Sequence, residues 1–355
     1  MLEQSFLADI VEHPDDDAPR LIYADWLDEQ GRPARAEFIR VQIRRASDSS
    51  DPRQARRDRW RESELLRQHG DAWRAELPHI MGVEWEAFHR GFVVQAVLFG
   101  GETLQRHAEA VFRAAPIQWV KIGSPSLCAP LLQSPYLARL TELNVGRVAA
   151  GWCEFGALLL SSPNLGAMRC LLLHGNRSGN ALMEQLCKAH LPRLTELYLS
   201  DNDLTRHGLD RLAGRDVLPT LQTLDVRDNR LGMGSMSALA SWATARSLRT
   251  LYAVNAQLGS ADAVALASGF PSLRELYVNH NPIGDEGAYA LAQGHFPDLF
   301  ELDVRYGDIS DDGLLALARS PCLSHVERMW LGCNPLSRQN TWNELRELLG
   351  PRLRV

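Results

Sequence analysis

The residues that could carry out catalysis are scattered along the 355-residue chain and form no recognised catalytic motif. The sequence contains no P-loop, no HExxH helix and no nucleophile elbow. Gly232 and Gly234 lack the third glycine of a dinucleotide-binding loop. Asp25 is a carboxylate beside Trp26, but in a short helix near several arginines a salt bridge is its more typical role. We therefore predict that the protein is not an enzyme and has no catalytic residues.

Residue types that bind metals are present, but they lack the spacing of a metal site. The six cysteines contain no CxxC pair, and the eleven histidines are scattered. We predict reduced thiols, no metal site and no cofactor.

The composition and charge narrow the choice of partners. Hydrophobic residues make up 45% and charged residues 23% of the chain, as in ordinary folded proteins. A net charge of −6 provides no positive field to attract nucleic acid. The apolar runs are far shorter than the roughly 20 residues of a membrane span, and no secretory signal is recognisable. We expect a cytoplasmic monomer with neither a membrane nor a nucleic-acid partner.

One charged run between residues 51 and 77 has two possible interpretations. Its arginines could form a phosphate-binding patch, or they could lie on a solvated helix face, since acidic residues interleave with them. The second interpretation is favoured, and it places Trp60, Leu65 and Leu66 in the core. The arginines of the run are Arg53, Arg56, Arg57, Arg59 and Arg61.

An internal repeat is the strongest feature of the sequence. The pattern Leu194-x-x-Leu197-x-Leu199-x-x-Asn202-x-Leu204 recurs in eight copies, with successive starts 25 to 28 residues apart. The copies start at residues 140, 168, 194, 221, 248, 273, 299 and 326. A ninth, degenerate copy starts at Ile117, and residues 92–99 read as an initial strand.

The pattern predicts a short strand, a turn and a helix in each repeat. The last two apolar residues of Leu-x-x-Leu-x-Leu point to one face of a strand, and the Asn can satisfy backbone groups at the turn. Val148, Ala256 and Gly307 replace that Asn, so we expect weaker turns there. Helices follow, as in 285–292 and 311–318. We predict an α/β solenoid whose parallel strands line the concave side of a horseshoe.

Residues 115–336 resemble the ribonuclease-inhibitor-like class of leucine-rich repeats. The best matches to its Ile-x-Asp-x-Gly helix are Ile283-Gly-Asp-Glu-Gly287 and Ile309-Ser-Asp-Asp-Gly313. The resemblance implies a fold and no particular partner, because the class includes inhibitors, GTPase activators and bacterial effectors.

The N-terminal region resembles a small all-α domain of unassigned function that precedes repeat arrays in planctomycetes and myxobacteria. The matching residues, 17–31 and 36–40, read DAPRLIYADWLDEQG and AEFIR. Asp17 is expected to cap the second helix, with Leu21, Ala24 and Leu27 on its buried stripe. The predicted organisation is a helical domain (1–46), a charged helical connector (47–80), an N-terminal cap (81–116), about nine repeats (117–336) and a C-terminal cap (337–355).

The repeat register predicts which side chains face the concave groove. They include aromatic residues, which often anchor protein interfaces, surrounded by carboxylates that would favour a basic protein segment. Strand propensity alone could also explain the tyrosines. The predicted partner-binding residues are Glu196, Tyr198, Asp225, Arg227, Tyr252, Glu275, Tyr277, Glu301, Asp303, Arg305, Tyr306 and Trp330.

Two functional hypotheses follow from the sequence. The first is a non-enzymatic scaffold that binds a protein on an acidic, aromatic concave face. The second is a regulator of an enzyme, either an inhibitor or a GTPase activator that supplies an arginine from the edge of the solenoid.

Overall fold

The computed structural model describes residues 2–47, 51–99, 101–123, 134–147, 152–215, 217–338 and 340–354. The chain divides into two compact units, Met1–Asn144 (unit 1) and Val145–Val355 (unit 2). In the described ranges, no helix has the length and apolar character needed to cross a membrane.

Unit 1 begins with an all-helical region. Its helices are α1 (Leu2–Glu12), α2 (Ala18–Glu29), α3 (Pro33–Ala46) and α4 (Pro52–Ala75). Helix α2 ends before Gly31, which adopts a φ of +74°. The predicted cap at Asp17 is wrong, since its side chain makes no capping hydrogen bond. The Asp16 carboxylate instead accepts the Ala18 amide at 2.9 Å.

The core of the helical region differs in two places from the predicted one. Tyr23 lies in the buried stripe of α2 with Ala24 and Leu27, whereas Leu21 is exposed. The Tyr23 hydroxyl donates to Glu3 on α1, so the helix turns its tyrosine inward. On α4, Leu65 is buried as expected, but Trp60 is 66% exposed and its predicted burial is wrong.

Ion pairs join neighbouring helices of this region, and some of them involve the charged run. Arg61 on α4 binds Glu37 on α3 and Glu64 at 2.6 Å each. Asp25 forms an ion pair with Arg40 at 2.6 Å, which confirms its predicted role as a salt-bridge partner. The pairs made by Arg61 fit the interpretation of the run as a solvated helix face.

Six strands follow the helices within unit 1, and β2 and β3 form a small two-stranded sheet apart from the other four. The strands are β1 (Val83–Trp85), β2 (Phe88–His89), β3 (Phe92–Val93), β4 (Gln95–Leu98), β5 (Trp119–Ile122) and β6 (Glu142–Asn144), with α5 (Gly101–Ala114) between β4 and β5. Strand β1 pairs antiparallel with β4, and β2 pairs with β3. Strands β4, β5 and β6 then pair in parallel. The predicted strand after Ile117 is therefore confirmed. The single strand predicted at 92–99 is instead two strands, β3 and β4, which belong to different sheets.

Unit 2 is a parallel α/β solenoid. Its strands are β7 (Cys170–Leu172), β8 (Glu196–Tyr198), β9 (Thr223–Asp225), β10 (Thr250–Tyr252), β11 (Glu275–Tyr277), β12 (Glu301–Asp303), β13 (Arg328–Trp330) and β14 (Leu353–Arg354). Its helices are α6 (Trp152–Leu160), α7 (Ala181–Leu186), α8 (Arg206–Ala213), α9 (Ser235–Ala240), α10 (Ser260–Gly269), α11 (Gly284–Ala292), α12 (Asp311–Arg319) and α13 (Thr341–Leu349).

The strands pair with the register that the repeat predicts. Leu197 aligns with Leu171 and Leu224, and the same buried column continues through β13 to Met329. Strand β14 extends the sheet beyond the last predicted repeat, pairing with β13. The eight predicted repeat strands, β6 to β13, are confirmed.

A buried asparagine ladder joins successive turns in unit 2. The side-chain nitrogen of Asn202, Nδ2, donates to the backbone oxygens of Leu173 and Leu199 at 2.9 and 3.0 Å. Its side-chain oxygen accepts the Asn176 amide at 3.2 Å. Ala256 occupies the equivalent position two repeats further on and offers no such acceptor. Val148, another predicted weak turn, lies outside the described residues.

Candidate functional site

The candidate site is the sheet face of unit 2, formed by strand side chains that alternate with the buried leucine column. Its first column contains Glu196, Thr223, Thr250, Glu275, Glu301 and Arg328, and its second contains Tyr198, Asp225, Tyr252, Tyr277, Asp303 and Trp330. The register therefore brings the predicted binding residues into adjacent rows. Arg227, Arg305 and Tyr306 follow the strand ends.

Arg227 is clamped between an acid and an aromatic ring. Its guanidinium binds the buried Asp225 carboxylate through Nε at 2.9 Å and Nη2 at 2.7 Å. The central carbon of that guanidinium lies 5.1 Å from the Tyr252 ring centroid. A bidentate pair of this kind fixes the orientation of the arginine, which in turn supports the tyrosine.

The same arrangement recurs on strands β12 and β13. Arg305 binds the buried Asp303 through Nε at 3.0 Å and Nη2 at 2.7 Å. Its guanidinium lies 4.6 Å from the Trp330 ring centroid. The Asp-Val-Arg segments 225–227 and 303–305 thus form two equivalent clamps, each holding the aromatic side chain of the next strand.

Two tyrosines stack between the clamps. The rings of Tyr252 and Tyr277 are 4.8 Å apart and nearly parallel, at 11°. Burial raises the pKa of both hydroxyls, and the nearby Glu275 raises it further. Both tyrosines therefore stay neutral donors at physiological pH.

Glu301 organises the neighbouring part of the face. It is only 7% exposed, and it accepts hydrogen bonds from Trp330 Nε1 at 2.8 Å and Arg328 Nη1 at 3.1 Å. Trp330 is therefore held both by Glu301 at its edge and by Arg305 over its ring. Such support limits the rotamers that the indole can adopt.

The sheet face is less acidic than the sequence predicts. Asp225, Glu301 and Asp303 are buried and paired with arginines, so they present little free negative charge. Glu196 accepts a hydrogen bond from the Tyr198 hydroxyl at 2.9 Å. Glu275 remains half-buried on the face.

The aromatic side chains are also less exposed than expected. Tyr198, Tyr252, Tyr277 and Trp330 are half-buried, whereas Tyr306 is 49% exposed. The Tyr306 ring stacks on His280 with a centroid distance of 4.1 Å. The aromatic rings of the face are therefore held by neighbouring side chains and do not project freely into solvent.

A depression of about 420 Å³ lies at the centre of these residues. Its lining includes both clamp arginines and the stacked tyrosines, with Trp330 at one side. Asn279 also lines it, and the buried Oδ1 atom of this residue has no hydrogen-bond partner among the residues that the structure describes. The depression can accept an apolar group together with a hydrogen-bond donor.

Sequence reasoning missed a basic depression at the edge where the strands of unit 2 begin. It has a volume of about 640 Å³ and contains Arg169, Arg193, Arg246 and Arg249, with no carboxylate in its lining. None of these four arginines forms an ion pair in the described part of the chain. We call them the basic edge. The sequence could have indicated the basic edge, because Arg169 and Arg249 each directly precede a repeat strand and so lie at the same edge of the sheet.

Metal-binding groups do not cluster within the residues that the structure describes. No set of three His, Cys, Asp or Glu side chains is placed to hold an ion there. Cys187, Cys322 and Cys333 form no disulfide, and the Cys170 thiol lies 3.8 Å from the Glu196 carboxylate. The side chains of Cys128 and Cys153 lie outside the described residues.

Three stretches of unit 2 match a family of known repeats. Residues 217–240, 271–292 and 298–318 fit the family model described as Leucine Rich repeat. Unit 2 carries leucine-rich repeats. The matches cover helices as well as strands, in agreement with the observed repeat of strand, turn and helix.

Two solved structures show a distant similarity to the chain. An internalin (InlF) from Listeria monocytogenes is 15% identical with a TM-score of 0.36, over 71% of this chain and 84% of that one. TLR13, in a TLR13–ssRNA13 complex, is 18% identical with a TM-score of 0.33, over 66% of this chain and 37% of that one. No curated protein matches the sequence. At these TM-scores, neither likeness carries a functional argument.

Proposed function

We propose that this leucine-rich-repeat protein is a non-enzymatic scaffold that binds a partner protein on the sheet face of unit 2. Leucine-rich-repeat proteins generally mediate protein–protein interaction. The observation that carries the proposal is the pair of Asp-Arg clamps, which orient Tyr252 and Trp330 beside a central depression. The helices of unit 1 would provide a second contact.

Preorganisation is the physical basis of this proposal. Binding is weakened when flexible side chains must become ordered, at a cost of about 0.5–1.5 kcal/mol each. Tyr252, Tyr277 and Trp330 are already held by stacking, cation–π contacts and a hydrogen bond to Glu301. Aromatic residues of this kind are common binding hot spots.

The charges of the face suggest the chemistry of the partner. Asp225 and Asp303 are paired with their own arginines. Glu275 lies beside the stacked tyrosines, and we propose that its carboxylate is the one that pairs with a partner. We propose a partner segment with an apolar anchor for the depression and a basic side chain beside Glu275. This segment is less basic than the one that the sequence predicts.

The test begins with affinity capture and identification of the partner, which is then purified and titrated. The double variant Tyr252→Ala and Trp330→Ala should weaken binding by at least about 30-fold, since two anchoring residues that each contribute more than about 1 kcal/mol together contribute more than about 2 kcal/mol. Tyr289→Ala is the matched control, because Tyr289 is an exposed tyrosine on helix α11. It should bind as the wild type does.

Stability must be measured for each variant alongside affinity. Comparable urea midpoints for the double variant and the wild type would attribute any loss of binding to the face. Equal affinity of the double variant and the wild type would contradict the proposal.

The basic edge favours a second candidate function, the regulation of an enzyme. A GTPase activator stabilises transition-state charge with an arginine inserted in trans. Arg169 and Arg249 are exposed arginines without an ion pair in the described residues, so either is free to act in this way. Unchanged hydrolysis rates across a panel of GTPases and nucleases, with and without the protein, would remove this candidate.

A further inference from the structure

Unit 1 contains a cavity that the proposed scaffold function does not use. Its volume is about 400 Å³, and side chains from helices α1 to α4 and strand β3 line it. Apolar walls come from residues such as Leu7, Leu77 and Val93. This volume falls within the range of small-molecule sites.

Arg35 lies in this cavity in an unusual setting. The side chain is only 8% exposed, and four aromatic rings surround its guanidinium. The distances from its central carbon to the ring centroids are 4.7 Å for Trp73, 5.5 Å for Phe88, 5.6 Å for Phe92 and 5.7 Å for Phe38. Cation–π contacts offset part of the cost of burying this charge.

The hydrogen-bonding capacity of Arg35 is not satisfied within the described residues. Its buried Nη1 atom has no hydrogen-bond partner, and the guanidinium forms no ion pair there. Burial lowers the pKa of Arg35 to about 10, so the side chain still carries its charge at neutral pH. Rings stabilise a cation but cannot accept the in-plane N–H bonds of a guanidinium as an oxygen does.

The carboxylates that line the cavity are already engaged by another arginine. Arg32 binds Glu3 and Glu76 at 2.8 Å each. Glu3 also accepts a hydrogen bond from Tyr23 at 2.8 Å. Arg35 is therefore the cation in this cavity that lacks an oxygen acceptor among the described residues.

We propose that this cavity binds a small monocarboxylate with an apolar or aromatic body, whose carboxylate pairs with the guanidinium of Arg35. A carboxylate matches the planar fork of a guanidinium through two parallel hydrogen bonds. The apolar walls would cover the body of the ligand. Glu3 and Glu76 balance the charges of Arg32 and Arg35, so a dianion such as phosphate is disfavoured.

The test is a calorimetric titration of the full-length protein with benzoate, phenylacetate and hexanoate, with benzamide as the uncharged analogue of benzoate. We expect at least one carboxylate to saturate a single site and to quench Trp73 fluorescence. Benzamide should bind at least tenfold more weakly than benzoate, because it lacks the charge that pairs with the arginine.

Variants at two arginines separate binding from folding. Arg35→Met preserves the length and apolar contacts of the side chain and should lower carboxylate affinity at least tenfold. Arg74→Met is the control, because Arg74 also lies over Phe88, at 5.3 Å, but does not line the cavity. It should bind carboxylates as the wild type does.

Three results would overturn the proposal. They are binding of none of the three carboxylates, equal binding by Arg35→Met and the wild type, and tighter binding of inorganic phosphate than of any carboxylate. If Arg35→Met fails to fold, Arg35→Lys replaces it. The lysine keeps the charge without the fork and should still bind carboxylates more weakly than the wild type, and unchanged affinity would likewise overturn the proposal.

Discussion

The guanidinium of Arg305 lies over the indole of Trp330 on the next strand, 4.6 Å from the ring centroid, while Asp303 holds it from below. Arg227 holds the same position over Tyr252, with Asp225 beneath it. The carboxylates are buried and the arginines are only partly exposed. In these two repeats, an aspartate at the end of a strand and an arginine two residues later therefore fix an aromatic side chain on the next strand.

The first prediction concerns the buried acid of this clamp. Asp303→Asn removes the charge that holds Arg305, which is itself exposed enough to regain water. We expect a loss of about 1–2 kcal/mol in the free energy of unfolding, less than for a fully buried pair. Urea denaturation measures it. Asp312→Asn is the control, since Asp312 and Arg338 form an exposed pair, and it should cost less than about 1 kcal/mol. Equal losses in the two variants would contradict this assignment.

The second prediction concerns the asparagine ladder. The backbone N–H of Asn202 donates to the side-chain oxygen of Asn229 at 3.1 Å. Ala256 has no side-chain oxygen to accept the backbone N–H of Asn229 in the same way. The Asn229 amide should therefore exchange with deuterium faster than the Asn202 amide. Residue-resolved hydrogen exchange checks this. Slower exchange at Asn229 would show that other groups compensate for the missing ladder residue.

The third prediction is a dependence of stability on pH. Hydrogen bonds from Ser337 and Thr341 hold the pKa of Asp311 well below its ordinary value of 3.8. A lowered pKa stabilises the folded state above pH 3.8, and this stabilisation is lost as the pH falls towards the folded-state pKa. The difference in unfolding midpoint between the wild type and Asp311→Asn should therefore be larger at pH 7 than at pH 3. A constant difference would refute the linkage.

Periodicity was sufficient to predict the repeat strands and their register. Leu197, Leu224 and Leu251 recur at nearly constant spacing, and strand alternation then assigns every neighbour to a face. Strand β14 was missed because Leu353 and Arg354 lie outside the repeat pattern. The exposure of Trp60 was missed because helix periodicity alone does not say which face packs against a neighbour.

The electrostatics of the candidate site were harder to predict. Asp225 ends strand β9 and Arg227 follows two residues later, so their pairing was accessible from the sequence. The burial of Asp225 and the contact of Arg227 with the Tyr252 ring were not, because both depend on how neighbouring strands pack. The aromatic surroundings of Arg35 could not be predicted from the sequence either. They come from residues 38, 73, 88 and 92, most of which are far from Arg35 in the chain.

The most direct test of the scaffold proposal is the hydrogen-exchange footprint of the purified complex. Once a partner has been identified, peptides of the free and bound protein can be compared. We predict protection at residues 250–254, 275–279, 301–305 and 328–332, with helix α11 unchanged. Protection confined to the helices of unit 2, or to unit 1, would contradict the claim that the sheet face is the binding surface.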